Sequence, residues 1–262
     1  MAKINLWYGR LGNNILQIGN ALVVAYLNRS VFSCPSHDLF PAFSTPFGYT
    51  PASTGNFFNL NMDAYGGSQK FITLRQKLLQ EYFLPQLNIP KLNVDLSNLL
   101  MNGALVAHAR GGDTFNANIY PSYCINSQYI PHPLDYYLHL AKSHEKVILV
   151  YEDNTNPVVD ALSNNPQFYL TNNDVLADFA IFTKAKAVAV GGFGTFVPAA
   201  CLLNKNLSKI YFSNLAPIHE YLANSNQYEK VCLNLPSYID ENNWAADIAQ
   251  KNLMLNYKLP IS

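Results

Sequence analysis

The sequence predicts an α/β protein built on parallel strands. Three observations carry that prediction. Strand-like apolar runs alternate with helical stretches from Ala104 to about Phe212; several runs end in glycine-rich turns that open a helix; and one such unit stands by itself at the amino terminus. There "KINLWY" alternates like a strand, "GRLGN" turns the chain, and "NILQIGNALVVAYLN" repeats Ile15, Ile18, Leu22 and Tyr26 at helical spacing. Residues 32 to 67 mix Pro, Ser, Gly, Phe and Asn without a period, which reads as irregular structure able to wall a substrate. "FITLRQKLLQEYF" (71–83) returns to helix. The prolines of "LPQLNIPKLNVDLSN" then break the pattern and put a domain boundary near 95 to 103.

Beyond that boundary the strands "ALVAHAR", "KVILVYE", "FYL", "AVAVGG" and "KIYF" alternate with the helices "LDYYLHLAKS", "PVVDALSN", "VLADFAIFTKA" and "FVPAACLLN". Such a succession means parallel strands joined by right-handed crossovers, and a sheet that binds ligands beyond the carboxyl ends of its strands. The tail "DENNWAADIAQKNLML" is amphipathic, with Trp244, Ile248 and Leu253 suited to docking on a neighbouring lobe. The expected division is an amino-terminal lobe over 1–100, a carboxy-terminal lobe over 101–235, and a helix and tail over 236–262 that pack back on the amino-terminal lobe.

Composition narrows the function. Seventeen basic residues balance 17 acidic ones in 262, so no summed field attracts nucleic acid or an anionic membrane, and any anion must be bound locally. No uncharged apolar run approaches the roughly 20 residues of a membrane span. Cys34, Cys124, Cys201 and Cys232 are widely spaced with no C-x-x-C pair, which reads as free thiols in a reducing, cytoplasmic setting. His132 and His139 read as loop and helix residues rather than metal ligands, and no metal is expected.

Three strand ends break the packing rules. In Gly9-Arg10-Leu11-Gly12-Asn13-Asn14, glycines and amides open a helix whose free N–H groups favour an anion, although a tight turn with an Asn cap explains the same residues. In "VAHARGGD" a buried strand delivers His108 and Arg110 to the carboxyl edge on one side. Gly111 and Gly112 then clear room for a ligand, and the Arg110 fork suits a phosphate. The competing explanation is an ion pair between Arg110 and Asp113 or Asp153. In "DVLADFAIFTKAKAVAVGGFGTF", Asp178 interrupts an apolar helix, and the turn Gly191 to Phe196 forms an anion nest to which Gly194 and Thr195 contribute. It lacks the third glycine of a dinucleotide fingerprint and the lysine of a P-loop. A carboxylate such as Asp178 can accept two parallel hydrogen bonds from the N1–H and N2–H₂ edge of guanine, unless it caps its helix or pairs on the surface instead.

In order and approximate spacing, "GRLGNN", "HARGGD" and "DFAIFTKAKAVAVGGFGTF" resemble the motifs of the α1,2-, α1,6- and protein O-fucosyltransferase superfamily: G-x-L/F-G-N-Q, H-x-R-R-G-D, and an aspartate-led helix and strand ending in a Ser/Thr-Phe turn. The α1,2-fucosyltransferases of glycosyltransferase family 11 are most similar in length and plan. The resemblance implies a GT-B-like fold of two Rossmann-like lobes with parallel sheets facing across a cleft and the donor site in the carboxy-terminal lobe. It implies a glycosyltransferase that moves a sugar, L-fucose from GDP-fucose, to a glycan hydroxyl with inversion and without a metal. Arg110 would bind the β-phosphate and stabilise the leaving diphosphate. His108 and Asp178 would contact the guanosine end, Thr195, Phe196 and the Gly194 turn would hold phosphates, and Gly12 with Asn13 would face the pocket from the opposite lobe. Asp113 is the first choice for a general base, with Glu152 or Asp153 second. Gly111 stands where the family has its second arginine and Asn14 where it has glutamine. Arg10 or Lys184 could supply the missing cation, or the donor could be GDP-mannose or a UDP-sugar such as UDP-xylose. A non-catalytic sugar-nucleotide or glycan-binding module is the expectation from a different class.

Overall fold

The structure, a computed structural model, describes residues 1–50, 54, 55, 57, 68–116, 127–216, 222, 225 and 227–260. It is an α/β protein with two sheets of mostly parallel strands, and the described residues divide into two compact units. The first comprises Met1–Lys91, Thr195–Lys205 and His219–Asn226, and the second Leu92–Gly194, Asn206–Ile218 and Gln227–Ser262.

In the first unit β1 (Ala2–Ile4) leads into α1 (Leu11–Leu27), followed by β2 (Val31–Cys34), β3 (Phe43–Pro46), β4 (Thr54–Gly55) and α2 (Ser68–Leu78). The sheet order is β3-β2-β1-β4, with β1 parallel to β2 and β4, and β3 antiparallel on β2. Helix α1 is buried on nearly every side from Leu11 to Ala25, so its faces need more than one cover. It packs against α2 and against α7 (Phe196–Leu203), which is buried from Val197 to Leu203. The polar residues on α1 are used locally. Gln17 accepts from the Tyr8 amide at 2.8 Å and donates to the Leu6 carbonyl at 3.1 Å, while Asn14 donates to the Tyr8 carbonyl at 3.1 Å. These bonds hold residues 6 to 8 as a loop, so the strand expected through Tyr8 stops at Ile4.

The second unit runs α3 (Val94–Met101), β5 (Leu105–Ala109), α4 (Leu134–Ala141), β6 (Val147–Tyr151), α5 (Pro157–Leu162), β7 (Phe168–Thr171), α6 (Val175–Lys184), β8 (Ala187–Ala189), β9 (Lys209–Ser213), β10 (Glu229–Leu233) and α8 (Ile248–Asn256). Caps start the helices where the sequence allows: Asn93 for α3, Asn156 followed by Pro157 for α5, and Asp174 for α6, whose carboxylate accepts from the amides of Leu176 and Ala177. Every strand pair is parallel, in the order β10-β9-β8-β5-β6-β7. Counted within the sheet this is 6-5-4-1-2-3, a doubly wound order that reverses direction between β5 and β8. Leu105, Ala107 and Ala109 face a core shared with Tyr136, Leu140, Val158 and Leu162. Alternation sends His108 to the other face, where its ring meets Phe182 of α6 edge-on at 6.1 Å.

The boundary falls at Lys91, a few residues before the expected 95–103. Two expectations about domain membership differ from what is seen. Helix α7, expected with the carboxy-terminal lobe, belongs to the first unit because its uniformly apolar surface covers α1. The tail, expected on the amino-terminal lobe, packs on α4 and α5 of its own unit: Trp244 is buried with its indole N–H on the Thr114 carbonyl at 2.7 Å, and the Leu259 amide donates to Asp135 at 2.8 Å. Residues 32–67, expected to be irregular, contain the short strands β2, β3 and β4, and α3 and β10 were not expected at all. Cys34, Cys201 and Cys232 are free thiols; Cys124 lies outside the described residues. No helix among the described residues is long and apolar enough to cross a membrane.

Candidate functional site

The reversal of strand order between β5 and β8 leaves the loops after these two neighbouring strands running in opposite directions, and crevices in doubly wound sheets form at such points. Both loops are glycine-rich. Gly191 shows why: a Cβ added there would land on the His108 carbonyl oxygen, so the β8 loop can lie against the end of β5 only as glycine. Substituting Gly191 with alanine therefore destabilises the protein by about 1–3 kcal/mol, the usual cost of forced overpacking, which urea unfolding will read directly. The Tyr137 hydroxyl donates to the same His108 carbonyl at 2.9 Å, and the Tyr136 hydroxyl to that of Val190 at 3.2 Å, so α4 ties both strand ends.

Arg110 follows β5 and reaches across to the other loop. Its Nη1 donates to the Phe193 carbonyl oxygen, and Nη2 lies 3.2 Å from both carboxylate oxygens of Asp113. The guanidinium sits over the Tyr129 ring, 4.2 Å from its centroid, and Tyr129 in turn stacks on Phe193 at 5.6 Å and 20°. Arg110 side-chain exposure is 12% and that of Asp113 is 6%, so the pair is largely desolvated. The ion pair weighed as the competing explanation for Arg110 is thus present, with Asp113 as the acid. Gly194 adjoins the same fork: a Cβ there would lie 2.8 Å from Nη1.

The loop after β6 clamps this strand end. Asn156 donates to the Arg110 carbonyl at 2.9 Å, and the Gly112 amide, at φ +53°, donates to Asp153 at 3.0 Å and to the Thr155 hydroxyl at 3.1 Å. Asp153 is committed to this clamp. A Cβ at Gly111 would collide with the Asp153 carboxylate, and one at Gly112 would lie 2.9 Å from Glu152. Where the fucosyltransferase motif has a second arginine, this chain accordingly has acid packed against glycine. Lys184 does not compensate, for it closes α6 at the edge where β8 begins, away from the carboxyl ends. Arg10 is exposed at the start of α1 in the first unit.

Asp178 lies one turn before Phe182 on α6, on the face that meets His108. Burial raises its pKa, against hydrogen bonds from Asn173: the side chain to Oδ1 at 2.8 Å, and the backbone amide shared between Oδ1 at 3.2 Å and Oδ2 at 3.3 Å. The helix cap is Asp174, so Asp178 stands free of that role and instead fastens the turn before the helix.

The remaining sequence-derived residues gather in the first unit. A Cβ at Gly12 would lie 2.5 Å from the Thr195 carbonyl carbon and 2.7 Å from the Phe196 amide, and the Thr195 hydroxyl donates to Asn13 at 2.7 Å. The first turns of α1 and α7 therefore touch, although 182 residues separate Asn13 from Thr195, and neither helix has a side-chain cap at its start. His108, Arg110, Asp113, Asp178 and Gly194 belong to the second unit. Sequence reasoning missed Tyr129, Phe193, Thr155 and Asn156. Tyr129 stands in a stretch without periodicity, whereas "EDNTNP" carried the signal of an Asx-rich turn opening a helix at proline.

No protein-family model matches the chain, and none of the curated proteins matches it in sequence.

Proposed function

We propose that the second unit binds a nucleotide sugar at the β5/β8 reversal and that the chain is a metal-independent inverting glycosyltransferase of GT-B type, with GDP-fucose as donor and a glycan hydroxyl as acceptor. The observation that carries this reading is the convergence of Arg110 and the Gly191–Gly194 turn at the carboxyl ends of the two strands where the sheet reverses. The acceptor oxygen attacks the anomeric carbon as the bond to the diphosphate oxygen breaks, and the hydroxyl proton passes to a carboxylate. Charge grows on the departing diphosphate, where a preorganised guanidinium and backbone N–H groups do most for the rate. Asp113 now supplies a carboxylate to Nη2, and a diphosphate oxygen has the same charge and would exchange with it. Asp113 is the first candidate base, with Glu152 second; Asp153 is committed to Gly112 and Thr155. Asp178, one turn before the Phe182 that His108 meets, is the group to read guanine.

The base contact has its own test. Asp178→Asn weakens GDP more than UDP in calorimetric titration; equal losses for both rule out guanine reading. Thermal shift with GDP-fucose, GDP-mannose and UDP-xylose identifies the donor, since a ligand of the folded state raises the melting temperature by mass action. One observation favours a second reading, a non-catalytic sugar-nucleotide-binding module: the Arg110 fork already holds Asp113 and Phe193, and Gly111 replaces a cation. Hydrolysis of the bound donor, however slow, separates the enzyme from the binder.

A further inference from the structure

We infer that Tyr129 is the positioning residue for Arg110: its ring fixes the plane in which the guanidinium presents its donors. An arginine carries four side-chain torsions, and a pair with Asp113 three residues away leaves the fork free to pivot about the Nη2 contact. Two further contacts remove that freedom. The guanidinium lies 4.2 Å over the Tyr129 centroid, and Nη1 donates to the Phe193 carbonyl. Tyr129 is itself stacked on the Phe193 ring at 5.6 Å. Guanidinium, phenol ring and the Phe193 residue thus contact one another pairwise, each contact restricting the fork. Nε is buried and has no hydrogen-bond partner among the described residues, so the ring face is what holds that side of the group. Cation–π attraction strengthens as water is excluded, and this guanidinium is largely buried. The ring face does this work and the hydroxyl does not, so phenylalanine replaces tyrosine and an aliphatic side chain fails.

The inference rests on the proposed function only in supposing that Arg110 meets an anion, and the test separates the two. Full-length wild type, Tyr129→Phe and Tyr129→Leu are treated with phenylglyoxal, modification at Arg110 is followed by peptide mass spectrometry, and GDP affinity is measured by calorimetry on the same preparations. Arg110 in Tyr129→Leu reacts roughly tenfold faster than in wild type, the scale of losing one desolvated cation–π contact, and Tyr129→Phe reacts at the wild-type rate. GDP affinity falls in the leucine variant and is restored in the phenylalanine one. An unchanged Arg110 rate in Tyr129→Leu overturns the inference whatever happens to GDP. A faster rate with phenylalanine rescue, in a protein that binds no GDP even as wild type, upholds the inference and overturns the nucleotide reading. Should the leucine variant not fold, Tyr129→Trp and Tyr129→His decide: protection of Arg110 must follow ring strength, tryptophan above histidine, and the reverse order overturns it.

Discussion

On the proposed glycosyltransferase reading, replacing Arg110 with alanine lowers turnover of the donor sugar by about 10²-fold or more, the scale of losing one preorganised group that meets developing charge. The structure adds a complication that the experiment must answer. Asp113 is largely buried against the guanidinium, and removing one member of a buried pair costs about 3–5 kcal/mol because the other charge stays behind. Arg110→Ala thus loses stability as well as activity, and a bare loss of turnover is ambiguous. The double variant Arg110→Met with Asp113→Asn removes both charges and keeps most of the volume. Its melting temperature stays near that of wild type while its turnover lies at least 10²-fold below that of Asp113→Asn alone, the comparison that separates loss of the guanidinium from loss of the candidate base. A folded double variant with turnover within a few-fold of Asp113→Asn removes Arg110 from the chemistry.

Stability is expected to fall in acid through His132. This side chain is fully buried behind the turn after β9, its Nε2 2.6 Å from the Ser213 hydroxyl and its ring stacked 4.0 Å over Tyr136. Burial, assisted by the nearby His108, pushes its pKa down from 6.5 to about 3. Above pH 6.5 both folded and unfolded chains hold the imidazole neutral, and its contribution to stability is complete. Below pH 6.5 the unfolded chain takes a proton that the folded one refuses, so stability falls by about 1.4 kcal/mol per pH unit until the folded state titrates near pH 3. His37 and His144, both lowered by burial, act in the same direction, whereas the raised Asp178 carboxyl works against them above pH 3.8. Urea titrations at pH 7, 6, 5 and 4 read the slope. His132→Phe starts less stable, since Ser213 loses a partner, but its slope falls by about one proton; an unchanged slope shows that His132 is not the group.

How much of this was legible in the sequence follows from how each element is buried. Strands β5, β6 and β8 are covered on both faces, so they read as continuous apolar runs, and the helices between them keep a 3.6-residue period. The edge strand β10, "EKVCL", is exposed or half-exposed throughout and carries no such signal. The short β2, β3 and β4 hold two to four residues each, too few to show a period among the prolines and serines around them. Apolar faces announce that a partner exists, not which one. The all-apolar α7 gave no hint that it covers α1, and the Trp244 stripe none that it returns to its own unit. At the site, alternation put His108 and Arg110 at the strand end, and the spacing of Asp113 from Arg110 already suggested an ion pair. The turn of Asp153, Thr155 and Asn156 is legible as a turn, but its clamp on Arg110 and Gly112 and the placement of the Tyr129 ring are not, because they come from loops brought in by sheet order, and sheet order is not written in local pattern.

On the proposed function, Arg110 exchanges its internal carboxylate for the diphosphate of a nucleotide. Calorimetric titration of GDP into wild type and Asp113→Asn tests it most directly, because the variant removes the competing charge and leaves the fork in place. Tighter GDP binding by Asp113→Asn, roughly tenfold for a competing contact of the strength usual in charge-assisted pairs, with guanosine unchanged, is the predicted result. GDP binding equal to or weaker than wild type in that variant contradicts the account.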